Sequence, residues 1–157
     1  MLDTNIFSHL ELFMQLLLAV ILGGLVGVER SLVHKTAGLR TFALVSLGSA
    51  AFAIISQTAF GGGEFAAFDP SRVASQIVVG IGFLAGGVII FSNNHLQGLT
   101  TSAGIWVSAA IGLAVGVKLY TLAVFIAVLT LLVFGIFQAI EQRLVDRIGK
   151  KVPHDPS

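Results

Sequence analysis

The chain has 157 residues and a formal net charge of +1, and 55% of its residues are hydrophobic while only 11% are charged. This balance lies far from that of soluble domains, and the nine Lys and Arg residues form no basic, aromatic-rich face, so we expect no nucleic-acid partner. The absence of cysteine excludes disulfides, thiolate nucleophiles and Cys-based metal sites. The apolar residues occur in blocks of membrane-spanning length, which predicts an integral membrane protein.

Two apolar runs lie in the first sixty residues. The first, about 12–28, is close to the minimum of roughly 17 residues for a membrane span. The N-terminal sequence MLDTNIFSHLE lacks the positive region of a cleavable signal peptide, so this run is expected to be a retained helix. The second span, 39–60, is followed by the polar stretch GGGEFAAFDP.

The second half of the chain predicts three further spans. The third covers 73–91, with Asp69 as its N-cap and Pro70 at the first helical position. Apolar sequence then runs from Leu99 to Phe137, roughly 58 Å as one helix against a hydrocarbon core of about 30 Å. A turn near Gly116–Lys118 therefore divides it into spans 100–117 and 119–137. The prediction is an all-α, five-helix transmembrane domain over 1–137 and a basic cytoplasmic tail over 138–157.

Charges in the predicted loops indicate the orientation. With five helices and the N-terminus outside, seven Lys and Arg residues lie inside and two, Arg72 and Lys118, lie outside. With four helices Lys118 would lie within the membrane, and the two sides would carry five and three Lys and Arg residues. The positive-inside rule therefore favours five helices in the bacterial inner membrane, with the N-terminus outside and the C-terminus in the cytoplasm.

Small residues at four-residue intervals predict close helix packing. The alternative is that glycine is simply common in membrane helices. The third helix also carries polar and small residues on a second face, so we expect it to be central. The predicted packing glycines are Gly23, Gly27, Gly82, Gly86, Gly104, Gly112 and Gly116.

Three polar groups interrupt the apolar sequence. In the first, Arg30, Lys35 and Arg40 are explained as topology-setting residues, but Glu29 lies at the edge of hydrocarbon and requires water or a partner, either Arg30 or Arg40. In the second, Asp69, Arg72 and Gln76 share one helix face. In the third, Thr100 or Thr101 is expected to cap the fourth helix after an asparagine turn. The candidate functional residues are Glu29, Arg30, Arg40, Thr41, Asp69, Arg72, Gln76, Asn94, Thr100 and Thr101.

No catalytic or metal-ligating constellation is recognised in the sequence. The segment GIGFLA matches a dinucleotide-binding fingerprint, but it lies inside an apolar span and follows no strand, so no nucleotide site is inferred. The four histidines show no metal-ligand spacing. We therefore expect no cofactor, no metal and no enzymatic activity.

Four segments together resemble the MgtC/SapB family of bacterial membrane proteins over about residues 12–135. They are GGLVGVER, AGLRT, DPSRVASQIVVGIGFLAGGVI and GLTTSAGIWVSAAIGLAVG. The resemblance implies a multi-pass inner-membrane protein linked to growth under magnesium limitation and, in some pathogens, to survival inside host cells. It also implies that Glu29, Arg40, Asp69, Arg72, Gln76 and Thr100–Thr101 match the family's polar motif positions.

The sequence departs from the family pattern in two places. Ala85-Gly86-Gly87 stands where members often have glycine-alanine-glycine, and about twenty residues follow Phe137 where many members carry a soluble domain. The favoured hypothesis is a non-enzymatic regulator of another membrane complex. The alternative is a small ion or solute channel or transporter. The expected partners are the lipid bilayer, another membrane protein complex and further copies of the chain.

Overall fold

A computed structural model describes residues 3–60, 69, 71–92 and 95–149 of the chain. The prediction of an all-α architecture is confirmed, since helices make up nearly all of these residues. Two short strands are the exception. The elements are α1 (Asp3–Leu32), α2 (Leu39–Phe60), α3 (Ser71–Gly86), β1 (Ile90–Ser92), β2 (His95–Gln97), α4 (Leu99–Gly116), α5 (Tyr120–Leu132), a π-helical turn (Val133–Phe137) and α6 (Gln138–Gly149).

Four of the described helical segments are long and apolar enough to cross a membrane: His9–Leu32, Leu39–Thr58, Leu99–Gly116 and Tyr120–Leu144. The fourth runs through α5 and the π-helical turn into α6. The remaining apolar helix, α3, has only 16 residues, or about 24 Å of helix. The described structure therefore contains four full-length candidate spans and one short apolar helix, and the predicted count of five spans is not confirmed.

The predicted third span, 73–91, is wrong at its C-terminal end because α3 stops at Gly86. The N–H groups of Val88 and Ile89 donate to carbonyls three residues earlier, which tightens and ends the helix. Ile90–Ser92 then pairs antiparallel with His95–Gln97. Apolar composition alone did not distinguish this strand from a continuation of the helix.

The start of α4 also differs from the prediction. Neither Thr100 nor Thr101 caps this helix: its N-cap is Gly98, which makes no side-chain cap hydrogen bond. Gly98 has φ of +89°, and a Cβ atom there would lie 2.3 Å from the carbonyl oxygen of Val88. Only glycine combines this backbone conformation with so close an approach.

Contacts between helices define the two ends of the bundle. Gln15, in the first half of α1, hydrogen-bonds Tyr120 at the start of α5. Arg30, near the end of α1, hydrogen-bonds Gln138, which follows α5 and the π-helical turn. Helices α1 and α5 are therefore parallel. We call the end that contains the C-terminus of α1 the Arg30 end, and the opposite end, with the α4–α5 turn, the Lys118 end.

The other helices run in alternating directions. Ser108 donates to the carbonyl of Phe42 near the start of α2, and Gln57 donates to the carbonyl of Gly116 at the end of α4. Helices α2 and α4 are therefore parallel to each other and run from the Arg30 end to the Lys118 end. Helix α3 runs back, because the chain just after it, at Val88, contacts Gly98 at the start of α4.

Helix α4, not α3, is the central helix, since it packs against α1, α2, α3 and α5. Its glycines allow main chains to touch: a Cβ atom at Gly112 would lie 1.9 Å from the carbonyl oxygen of Ser46, and one at Gly116 would lie 2.8 Å from that of Ala50. Gly23 on α1 likewise faces the Phe42 carbonyl at 2.8 Å. The packing prediction therefore holds for α1 and α4.

The packing prediction is wrong for α3 within one copy of the chain. A Cβ atom at Gly82 or Gly86 would meet no other atom within 4 Å. Phe83, between them, is 84% exposed. The interval of four residues was the same on all three helices, but on α3 the small side chains face outward.

Candidate functional site at the Arg30 end

Arg30 is buried because α1 continues beyond the predicted end of the first span. The helix extends to Leu32, so Arg30 lies on the same face as Gly23 and Gly27. That face contacts α2: a Cβ atom at Gly27 would lie 2.7 Å from the Cα atom of Leu39. Only 2% of Arg30 is exposed, so the residue is part of the helix interface.

Three side chains compensate for the burial of this charge. The Nε and Nη2 atoms of Arg30 donate to the two carboxylate oxygens of Glu29, and Nη2 also reaches Gln138 Oε1 at 3.4 Å. The guanidinium carbon lies 3.8 Å from the centroid of the Phe134 ring, within the range of a cation–π contact. Arg30 is buried whereas the Glu29 side chain is 21% exposed. The pair therefore gains little net stability, but removing Glu29 is costly because the charge of Arg30 stays buried. The arrangement therefore fixes one geometry.

Glycine makes room for the ring in this contact. A Cβ atom at Gly104 would lie 2.8 Å from Cζ of Phe134 and 3.0 Å from the ring of Phe42. Phe134 itself lies in the π-helical turn Val133–Phe137, a local geometry that is frequent at functional sites. The stack of Gly104, Phe134 and Arg30 therefore connects α4, the π-helical turn and α1.

The short connection between α1 and α2 is held by local hydrogen bonds. The N–H of Lys35 donates to the carbonyl of Arg30 at 3.0 Å, and that of Leu39 donates to the Ser31 hydroxyl at 2.9 Å. Arg40 and Thr41, which were predicted to be functional, lie in the first turn of α2 and are exposed. Of the two possible partners of Glu29, the structure selects Arg30.

A cavity of about 800 Å³ opens beside Arg30. Four of its lining residues are apolar, and we call this set the apolar wall: Ala103, Val133, Phe134 and Phe137. The cavity brings together two predicted residues, Arg30 and Thr100, whereas Thr101 is buried within the bundle. The polar wall consists of Arg30, Lys35, Thr100, Gln138, Glu141 and Gln142.

The second predicted group lies at the Lys118 end, where α3 begins. Asp69 Oδ1 accepts from the N–H of Ser71 at 2.9 Å, as expected for its capping role. The hydrogen bonds from Ser71, with a smaller contribution from the positive charge of Arg72, hold the pKa of Asp69 below its usual value of 3.8. Arg72 is exposed, and Gln76 lines a mainly apolar groove between α2 and α3.

Another polar pair at the Lys118 end was not predicted. Lys118 lies in the turn between α4 and α5, and its Nζ atom lies 2.7 Å from Glu11 Oε1. This contact raises the pKa of Lys118 above its usual 10.5. Deeper in, Gln15 is 2% exposed and donates to the Tyr120 hydroxyl at 2.8 Å.

Sequence reasoning missed Phe134, Gln138, Glu141 and Gln142, because nothing in the sequence indicates that the last helix returns to Arg30. Arg30 itself could have been found: its spacing from Gly23 and Gly27 places it on the packing face once α1 is allowed to continue. Asn94 lies outside the described residues. Among the described residues there is no group of three or more His, Asp or Glu side chains that could hold a metal ion.

Long apolar helices, packed through glycines and joined at one end by a buried arginine, define a helical integral membrane protein. The sequence profile of the MgtC family matches residues 16–143, which is most of the chain. The protein therefore belongs to the MgtC family. No solved structure matches the chain.

Named relatives agree with this assignment. The chain is 42% identical over 140 residues to the putative magnesium transporter YhiD of Escherichia coli K12, covering 87% of this chain and 65% of that one. It is 41% identical over 133 residues to protein MgtC of Brucella abortus, covering 82% and 54%. It is 34% identical over 164 residues to protein SrpB of Synechococcus elongatus, covering 93% and 90%. The chain thus spans between half and two thirds of the first two relatives.

Proposed function

We propose that this membrane domain serves magnesium homeostasis and adaptation to low magnesium as a non-enzymatic regulator of another membrane protein complex. The names of two relatives, MgtC and the putative magnesium transporter YhiD, support the connection with magnesium. We place the domain in the bacterial inner membrane with its N-terminus outside. The Arg30 end then faces the cytoplasm.

A regulatory role is supported most directly by the contacts of Arg30 with Phe134 in the π-helical turn and with Gln138 at the start of α6. We call this set of contacts the Arg30 joint. Arg30 contacts Glu29 on its own helix and both Phe134 and Gln138 across the bundle. A rearrangement at the end of α1 would therefore alter the position of α6, which follows directly from Gln138. Packed interfaces switch between discrete arrangements, so we infer that a small change in these contacts would move α6.

The distribution of polar groups supports regulation more than transport through a single copy. The buried hydroxyls of Ser108 and Thr130 donate to main-chain carbonyls of Phe42 and Ile126. Gly112 of α4 lies against the main chain of Ser46, so α2 and α4 are in direct contact. A pathway for Mg²⁺ would need several oxygen ligands arranged octahedrally or room for its bound waters. The carboxylates among the described residues lie instead toward the ends of the helices.

Transport is the second candidate, and the printed name of the Escherichia coli relative favours it. A flux assay separates the two functions. Purified protein in liposomes with a trapped magnesium-sensitive dye is expected to give the same Mg²⁺ entry as protein-free liposomes, while the gene restores growth in low magnesium to a strain that lacks its own family member. Mg²⁺ entry that depends on the protein and is abolished by Gly112→Leu would replace the regulatory proposal with transport.

A further inference from the structure

The cavity at the Arg30 end has features that the regulatory role does not use. Its polar wall carries the cationic Lys35, the anionic Glu141 and Arg30, whose guanidinium is paired with Glu29. Its other wall, which includes Val133 and Phe137, is apolar. A cavity of about 800 Å³ with these two walls has the size and the polarity of a site for an amphipathic molecule.

Hydrogen-bond donors are available on the polar wall. Arg30 borders the cavity although it is almost completely buried, and its hydrogen bonds within the described structure use Nε and Nη2, which leaves Nη1 for a ligand. Thr100, in the first turn of α4, also lines the cavity. The N-cap of that helix, Gly98, makes no side-chain hydrogen bond, so no capping side chain occupies the N–H groups in the turn that carries Thr100. These groups suit a phosphate.

The charges select among phosphate-containing ligands. Glu29 neutralises Arg30, so Lys35 and Glu141 are the two remaining charges on the polar wall, one of each sign. A purely anionic group would be attracted by Lys35 and repelled by Glu141. A zwitterionic headgroup has a partner for both charges: its phosphate for Lys35 and its ammonium for Glu141.

We propose that this cavity binds one zwitterionic phospholipid of the phosphoethanolamine type, with the headgroup on the polar wall and the start of an acyl chain along Val133 and Phe137. Basic pockets between membrane helices bind the head groups of anionic lipids, and the carboxylate of Glu141 in this cavity favours a zwitterionic head group instead. The lipid would rest against Phe134 and Gln138, the two residues that connect Arg30 to the last helix. The inference adds a ligand to the proposed regulatory role and depends on that role only for its biological meaning.

Native mass spectrometry of the full chain in detergent tests the inference without any growth assay. Phosphatidylethanolamine, phosphatidylglycerol and diacylglycerol of identical acyl chains are each titrated. We expect phosphatidylethanolamine to bind with the highest affinity and diacylglycerol with the lowest. Lys35→Gln should weaken phosphatidylethanolamine binding by about tenfold or more, as expected for one charge-assisted hydrogen bond. Ala103→Leu, which fills the apolar wall, should weaken binding of all three lipids.

Two further variants make the result specific. Glu141→Gln should remove the preference for phosphatidylethanolamine over phosphatidylglycerol, whereas Lys118→Gln, at the opposite end of the bundle, should leave all affinities unchanged. Equal binding of the three lipids, or equal effects of Lys35→Gln and Lys118→Gln, would overturn the proposal. Displacement of the lipid by millimolar inorganic phosphate would show an anion site instead. None of these results would bear on the growth phenotype, so failure here is distinguishable from failure of the regulatory role.

Discussion

The guanidinium carbon of Arg30 lies 3.8 Å from the centre of the Phe134 ring, and this contact joins the end of α1 to the π-helical turn that precedes α6. The ring occupies space left by Gly104, so three helical segments meet at one point. The geometry requires a planar cation. A guanidinium stacks on the ring and also forms a fork with Glu29, whereas an ammonium group can do only part of this.

Arg30→Lys is therefore expected to lower stability even though it keeps the charge. Loss of the fork and the stack at a site that is 2% exposed should cost about 1–3 kcal/mol. Thermal unfolding of the purified protein in detergent measures this as a lower midpoint. Arg40→Lys, at an exposed position in the first turn of α2, is the matched control and should unfold like the wild type. Equal midpoints for the two variants would show that the contacts of the Arg30 guanidinium do not stabilise the bundle.

The glycines of α4 and α3 give a second comparison. Gly112→Ala should destabilise the bundle by about 1–3 kcal/mol, because the new Cβ atom would lie 1.9 Å from the Ser46 carbonyl oxygen and the helices would have to separate. Gly82→Ala meets no neighbouring atom and should be neutral or stabilising by up to about 1 kcal/mol. Both are measured by thermal unfolding in detergent. A destabilised Gly82→Ala protein would instead indicate that α3 packs against a second copy of the chain.

The helices of this protein are more predictable from the sequence than the contacts between them. The predicted runs 39–60 and 100–117 coincide with α2 and α4 to within one residue, whereas α1 extends beyond the predicted run 12–28 at both ends. The turn near Lys118 lies where the length limit of a span requires it. Periodicity identified small residues on one face but not what that face contacts, so Gly82 and Gly112 looked alike. Helix α3 stops at Gly86 and is followed by pairing between β1 and β2, which composition does not reveal.

The candidate site was only partly predictable for a similar reason. Glu29 needed a partner at the edge of hydrocarbon, and the sequence limited the choice to Arg30 or Arg40. Which of the two arginines pairs with Glu29 depends on whether α1 continues by a few residues, and helix ends predicted from sequence are uncertain on that scale. Phe134 and Gln138 come from the other end of the chain, and no local pattern connects them to Arg30.

The cap of α3 predicts a pH dependence at the Lys118 end. Hydrogen bonds from Ser71 lower the pKa of Asp69 below 3.8. Because the folded-state value is lower than the unfolded one, the ionised cap stabilises the protein above pH 3.8, and this stabilisation is lost as the pH falls through the lower, folded-state value. The difference in unfolding midpoint between the wild type and Asp69→Ala should therefore be constant near neutral pH and shrink in acid.

Asp69→Asn provides the control for this effect. Asparagine keeps an oxygen that accepts from the Ser71 N–H but does not titrate. The difference in midpoint between Asp69→Asn and Asp69→Ala should therefore be the same at every pH. A difference that shrinks in acid for this pair as well would mean that other carboxyl groups, and not Asp69, cause the pH dependence.

Membrane orientation is tested with a reporter enzyme that is active only outside the cytoplasm. The asymmetry of Lys and Arg residues predicts activity for fusions after Asn5 and Gly63 and none after Lys151. Activity after Lys151 would mean that the Arg30 end faces outward. The short α3 makes the Gly63 fusion the most informative of the three, because it reports on the side at which α3 begins.

If the regulatory role requires the contacts of Arg30 with Phe134 and Gln138, then growth in low magnesium depends on Arg30. Arg30→Lys and Arg143→Lys are expressed at equal membrane levels in a strain that lacks its own family member. Arg143 is an exposed arginine on α6, so it controls for the chemical change alone. We expect Arg143→Lys to restore growth and Arg30→Lys to fail although it is inserted in the membrane. Full growth with Arg30→Lys would show that the contacts of the Arg30 guanidinium are not required for the regulatory role.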